Sequence, residues 1–322
     1  MPLVPASFFG MVLGLVGLGT GWRIATRLWG LPAIVGEAIL LLAAAVWAIL
    51  LILYVGKWLL ARDAALAEAA HPVQCCFVGL VGVATMLVAG AAIPLSRELA
   101  LILYALGAVF TLAFGVWRSG QLWHGGRDGT TSTPVLYLPL VAGSFVSATV
   151  ASTLGYADWG ALAFGMGFFA WLAIESVLLH RLYTGPALPP ALRPTLGIQL
   201  APPVVGAISY LSVHPGPPDV MAQAMLGYGL MQALLLLRLL PWILEQPFAP
   251  SYWAFSFGVT ALANASLIMT ERGAVGAVPT LAPWLFGASV LVILMLVVGT
   301  LARILGSGLG LERRPLRLAI RS

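Results

Sequence analysis

Charge is confined to short intervals along this chain, and between them run uncharged apolar segments of membrane length. A helix needs about 20 residues to cross a bilayer, and no charge appears, for example, between Glu245 and Glu271. Ten such spans fit, at 4–25, 33–58, 72–94, 98–122, 134–155, 159–182, 194–213, 219–243, 250–270 and 279–304. The predicted fold class is therefore an all-α integral membrane protein. Only 8% of the 322 residues are charged and the mean hydropathy is +1.00, against about 25% charged in soluble domains. The reading is one transmembrane domain over residues 1–310 and a basic cytoplasmic tail over 311–322. The first apolar run lacks a basic flank and a clear cleavage site, so it is expected to stay as a span.

The connections are short, which makes successive helices antiparallel neighbours. The odd spans share a pattern. Each opens near a proline, at Pro5, Pro72, Pro134, Pro194 and Pro250, a residue favoured in the first turn of a helix. Further in comes a residue that permits a bend: Gly14, Gly82, Pro139 with Gly143, Pro202 with Pro203 and Gly206, or Gly258. Interrupted helices belong inside the protein or along a cavity, where freed backbone groups find partners. The even spans are rich in Leu, Ile and Val, as in 40–53 and 233–237. The expected architecture is five helical hairpins around a pseudo-five-fold central pore, with broken helices inside and smooth ones facing lipid.

The ninth span, 250–270, carries Trp253, Phe257, Thr260 and Asn264 at four-, three- and four-residue steps. That spacing places them on one helix face. Phe255 faces the other way, and Gly258 removes a side chain beside Phe257. An aromatic ring on a weakly polar stripe suits the wall of a narrow, uncharged pore. The same small and polar residues also favour contacts between helices in membranes. Gly10 and Gly14 form a small-xxx-small pair of that kind. Ser144, Ser147, Thr149, Ser152 and Thr153 surround Phe145 in the fifth span, and such hydroxyls serve either purpose.

The charged residues set orientation and exclude some chemistry. Lys57, Arg62, Arg118, Arg127, Arg181, Arg193, Arg303, Arg313, Arg314, Arg317 and Arg321 lie on the side of the termini, eleven in all. Arg23, Arg27, Arg97 and Arg272 lie opposite. This bias predicts cytoplasmic termini, against the local pull of Arg23 and Arg27. The net charge of +5 suits anionic lipid or anions, and no nucleic-acid partner is expected. Glu175 and Arg238 fall within the sixth and eighth spans, where an intramembrane charge is a functional candidate. They could equally pair with one another or snorkel to the surface. The four histidines lie at span ends or in loops, and Cys75 and Cys76 are adjacent. Neither set has the spacing for haem, zinc or a disulfide framework. No metal, cofactor or enzymatic activity is expected.

Several stretches, in order along the chain, resemble one family: Phe8–Gly10, Leu122–Gly126, Tyr137–Val141 with Phe145, Gly197–Pro202, Tyr210–Ser212, Leu236–Trp242 and Trp253–Gly258. It is the tellurite-resistance/dicarboxylate transporter family, related to the plant guard-cell slow-type anion channels. The resemblance implies ten helices in a five-fold pseudo-symmetric barrel, and a homotrimer with one pore per subunit. It also implies that Phe257 occludes the pore, with Gly10 near that gate. Close relatives are expected to carry proline where this chain has Val12, leaving Gly14 as the source of any bend in the first helix. The pore-lining or hinge candidates are Gly10, Gly14, Phe77, Gly82, Pro139, Gly143, Phe145, Pro202, Gly206, Gly258, Thr260 and Asn264. The expected function is an anion-selective channel or channel-like transporter of the bacterial inner membrane. Selectivity is expected from a net positive field and a polar lining, with no fixed charge in the pore. The alternatives are a carrier for C4-dicarboxylates or tellurite-type oxyanions, and a membrane scaffold or regulator that moves nothing.

Overall fold

The structure, a computed structural model, describes residues 3–126 and 128–306. Arg127, the expected tail 311–322 and its four arginines lie outside the described residues. The described chain is α-helical. Ten helices are long and apolar enough to span a membrane: Ala6–Trp29, Ala33–Leu60, Gln74–Ala92, Arg97–Trp123, Pro134–Thr153, Ala157–Thr184, Pro190–Val213, Val220–Ile243, Pro250–Glu271 and Ala277–Gly306. A short helix not foreseen from sequence, Arg62–Ala70, sits between the second and third. Its Glu68 accepts the Ala6 N–H at 2.8 Å and pairs with the buried Lys57 at 2.7 Å, fixing where the first span begins. On the opposite face Asp219 caps the eighth span. A hydrogen bond from the Tyr210 hydroxyl, with one from the Ala222 N–H, holds the Asp219 carboxyl below its usual range.

The odd and even spans differ as their composition requires. In the most apolar window of each odd span 67–72% of residues are buried within the protein, against 22–33% in the even spans. The odd helices form a closed ring: the first packs on the third, the third on the fifth, the fifth on the seventh, the seventh on the ninth and the ninth on the first. Each even span packs outside its hairpin partner. Every odd span opens with a 3₁₀ segment: Ala6–Phe9, Gln74–Gly79, Pro134–Tyr137, Pro190–Leu200 and Pro250–Trp253. The tighter 3₁₀ turn has poorer hydrogen-bond geometry, so it needs a protein environment when it lies in a membrane. Around Pro139 the fifth span widens into a π turn, Leu138–Ala142, because proline offers no N–H to the helical ladder.

The glycines read as bend sites mostly do something else. The α-helix runs unbroken through Gly14, Gly82 and Gly206, and in the first span the change from 3₁₀ to α falls at Gly10. A Cβ at Gly14 would overlap Ser256 Cβ, and one at Gly17 would overlap Thr260 Oγ1. The first and ninth spans therefore approach until backbone meets side chain, the arrangement small residues permit in membranes. Asn264 Nδ2 donates to the Gly17 carbonyl at 2.9 Å, and Ser256 Oγ to the Gly10 carbonyl at 3.2 Å. Gly82 and Gly143 likewise make room for Thr111 of the fourth span, whose side chain would collide with a Cβ at either position.

Glu175 is buried and does not pair with Arg238, which is exposed on the outer face of the eighth span. Five donors from four spans surround its carboxylate. They are the Tyr137 hydroxyl, Trp171 Nε1 at 3.0 Å, Gln199 Nε2 at 3.0 Å, the Tyr228 hydroxyl at 2.6 Å and Gln232 Nε2 at 3.3 Å. Burial of an unpaired carboxylate is costly, and hydrogen bonds to it offset that cost. Truncation would leave the donors facing one another without an acceptor. Glu175→Ala is expected to lower stability by about 2–4 kcal/mol, read as an earlier thermal transition in detergent. Arg238→Ala is expected to leave the transition nearly unchanged.

Candidate functional site

The ring of odd spans encloses two cavities, and each draws its wall from all five odd helices. The near cavity lies on the side where the odd spans begin and holds about 120 Å³. Ser7, Gln74, Thr195 and Ser251 supply polar groups near the helix starts, while Leu13, Val141, Phe145 and Val205 form an apolar inner end. The far cavity holds about 210 Å³ and is lined by Thr20, Thr149, Thr153, Thr260 and Asn264 among aliphatic residues. Both have room for several waters, since one water centre needs roughly 10–15 Å³. Two residues, Val205 of the seventh span and Phe257 of the ninth, line both cavities. They form the wall that the two spaces have in common.

The structure brings some of the sequence candidates together and separates others. Gly10, Phe77, Phe145, Pro202 and Phe257 line the near cavity, and Phe257, Thr260 and Asn264 the far one. The stripe on the ninth helix is thus both wall and fastening, because Asn264 also bonds the first span. Phe145 is fully buried, with its ring against Phe164 at 6.0 Å between centroids. Gly206 makes room for that ring, as a Cβ there would lie 3.1 Å from Phe145 Cζ. Gly14, Gly82, Pro139, Gly143 and Gly206 are in neither wall. Gly258 does not leave space for the Phe257 ring. It faces the seventh span, where a Cβ would meet Leu200 Cβ at 2.9 Å. Phe255 also faces the seventh span, against Gly197.

Glu175 and Arg238 are absent from both walls, though Tyr137, which donates to Glu175, lines the near cavity. One charged residue does line these cavities among the described residues, against the expectation of an uncharged wall: Arg23, in the far cavity. Its Nε and Nη2 each donate to Glu37 at 2.7 Å, and Nη1 donates to the Ala91 carbonyl at 3.0 Å. The signal was present in the sequence, since Val16, Thr20 and Arg23 follow at four- and three-residue steps along one helix face. Val205 carried no such signal in an apolar run.

Comparison with known proteins places this geometry. Residues 4–301 match the SLAC1 family, described as voltage-dependent anion channel. A tellurite resistance protein TehA homolog of Haemophilus influenzae is 38% identical over 264 residues, covering 82% of this chain and 80% of the relative. An uncharacterized transporter of Methanocaldococcus jannaschii is 25% identical over 68% of this chain and 70% of its own length. The guard cell S-type anion channel SLAC1 of Arabidopsis thaliana is 25% identical over 83% of this chain and 50% of its own length. The chain thus belongs to the SLAC1 family, a family of membrane anion channels and transporters.

Proposed function

We propose that this protein is an anion-selective channel of the bacterial inner membrane whose path runs through the two cavities, and that the Phe257 ring closes it. The observation that carries the reading is that Phe257 lines both cavities, as does Val205 of the neighbouring seventh span. An apolar ring at a narrow point excludes water and therefore ions. The absence of any carboxylate from either wall favours anions over cations among the described residues. A relative named for tellurite resistance supports a second reading, a carrier for tellurite-type oxyanions. Rate separates the two: unitary currents mark a channel, and saturating coupled uptake marks a carrier.

The gate is tested by two substitutions reconstituted at equal protein density. Phe257→Ala is expected to raise chloride and nitrate current well above the parent while the protein stays folded. Phe255→Ala removes a partly buried ring from the packing on Gly197, and is expected to cost about 2–4 kcal/mol of stability with current still low. A silent Phe257→Ala channel, or current through Phe255→Ala, overturns the gate. Liposomes that pass neither anion in any variant would indicate a membrane protein that moves nothing.

The basic bias supports cytoplasmic termini. The two arginines that follow the first span and exert the local counter-pull are held in ion pairs, Arg23 with Glu37 and Arg27 with Glu271 at 2.6 Å. A reporter active only outside the cytoplasm, fused after Ser322, is expected to stay inactive. The even spans present broad apolar faces, including Leu41, Ile52, Leu106, Phe169 and Leu234, for lipid and for neighbouring subunits. A homotrimer with one path per chain fits, since five odd helices of one chain already close a ring. Native mass spectrometry is expected to report a trimer, and monomers alone would count against it.

A further inference from the structure

We propose that the far cavity is a binding antechamber for a small monovalent anion, with Arg23 as its charge and Glu37 as the group that sets how much of that charge an anion feels. The inference rests on the conduction path proposed above and adds a site to it. Arg23 is the one charged side chain in either cavity wall among the described residues. It is mostly withdrawn from solvent, with 19% of its side chain exposed. A guanidinium carries five N–H groups. Three are used by Glu37 and Ala91, which leaves one on each terminal nitrogen.

The neighbouring polar groups sort by what they still have to give. Thr149, Thr153 and Thr260 each donate their hydroxyl proton to a carbonyl of their own helix, so they offer an anion little. Thr20 makes no such bond among the described residues, and Asn264 uses one of its two amide protons on Gly17. Arg23, Thr20 and Asn264 therefore supply N–H and O–H donors to the same cavity. That donor set, with one formal positive charge and no carboxylate in the wall, matches chloride, bromide or nitrate. It suits a weakly held ion of the kind conduction requires.

Glu37 makes the site adjustable. It is outside the cavity wall and its side chain is 46% exposed. Its carboxylate binds the guanidinium in a two-point fork, which fixes the plane of Arg23 and also screens its field. Loss of either partner breaks the same ion pair, so a purely structural role predicts that both losses act alike. An electrostatic role predicts opposite effects. Removing Arg23 takes away the attraction, and removing Glu37 unmasks it.

The experiment uses the full chain with Phe257→Ala as the conducting parent, in planar bilayers with anion supplied from one side at a time. In dilute salt, Arg23→Gln is expected to lower the current of anions entering from the far side, and Glu37→Gln to raise it, each by roughly tenfold, the lower end of what a focused field does. Arg23→Lys should retain most of the parental current. The differences should shrink at 1 M salt, where screening acts over about 3 Å. Equal losses in both glutamine variants, or no change, overturn the antechamber while leaving the gate intact. A parent that does not conduct overturns the path itself. The site is read separately by bromide anomalous diffraction from crystals of the otherwise unsubstituted protein. A bromide peak beside Arg23 that disappears in Arg23→Gln supports it; absence of the peak, or its persistence in that variant, overturns it.

Discussion

Backbone hydrogen bonding in the absence of water is the condition on which the rest of this molecule depends. Five helices begin with 3₁₀ turns, and one widens into a π turn at Pro139. None of these segments would be tolerated against lipid, because their weaker or missing ladder bonds need protein or water nearby. The sequence meets the condition by giving each irregular helix a smooth partner that covers it from outside. A ring of helices then follows, since five segments that must all avoid lipid can do so only by facing one another. The cavities are the space such a ring leaves, and the helix starts put polar side chains at one end of it.

Polar residues hold the ring together without filling its centre. Asn264 and Ser256 reach backbone carbonyls of the first span across glycine. Glu175 gathers the fifth, sixth, seventh and eighth spans around one carboxylate. Its donors sit on four spans, so separating any one of these helices from the others would break a bond to the carboxylate. Buried polar networks of this kind stabilise most when every member is served; here both carboxylate oxygens have donors, while Gln199 Oε1 is buried without a hydrogen-bond partner among the described residues.

Span positions and the inner-outer division are legible because hydropathy and proline placement are local properties. The observed limits fall within a few residues of those read from charge-free runs, and Pro134 and Pro250 do open their spans. Helix contacts are less legible. Gly14 looks the same in sequence whether it bends a helix or receives Ser256, and only the partner decides. Trp171 beside Glu175 is visible as an i−4 neighbour, but Tyr137, Gln199, Tyr228 and Gln232 lie on other spans and their convergence depends on the ring. Arg23 is obscured for a simpler reason. It lies near a span end and counts as a boundary charge, although the helical stripe it shares with Thr20 runs into the cavity.

The packing around Phe257 has a consequence for how the proposed gate moves. Its helix is fastened on one side to the first span, at Gly10 and Gly17, and seated on the other against Leu200 through Gly258. A shift or turn of this backbone would have to break the bonds to the first span and disturb the close seat on Leu200. If Phe257 closes the path as proposed, rotation about its own side-chain bonds is the opening motion that this packing obstructs least. That is a rotamer exchange, a class of motion that runs far faster than the rocking of domains. A passage worked this way would open in brief flickers, with no movement of the barrel required.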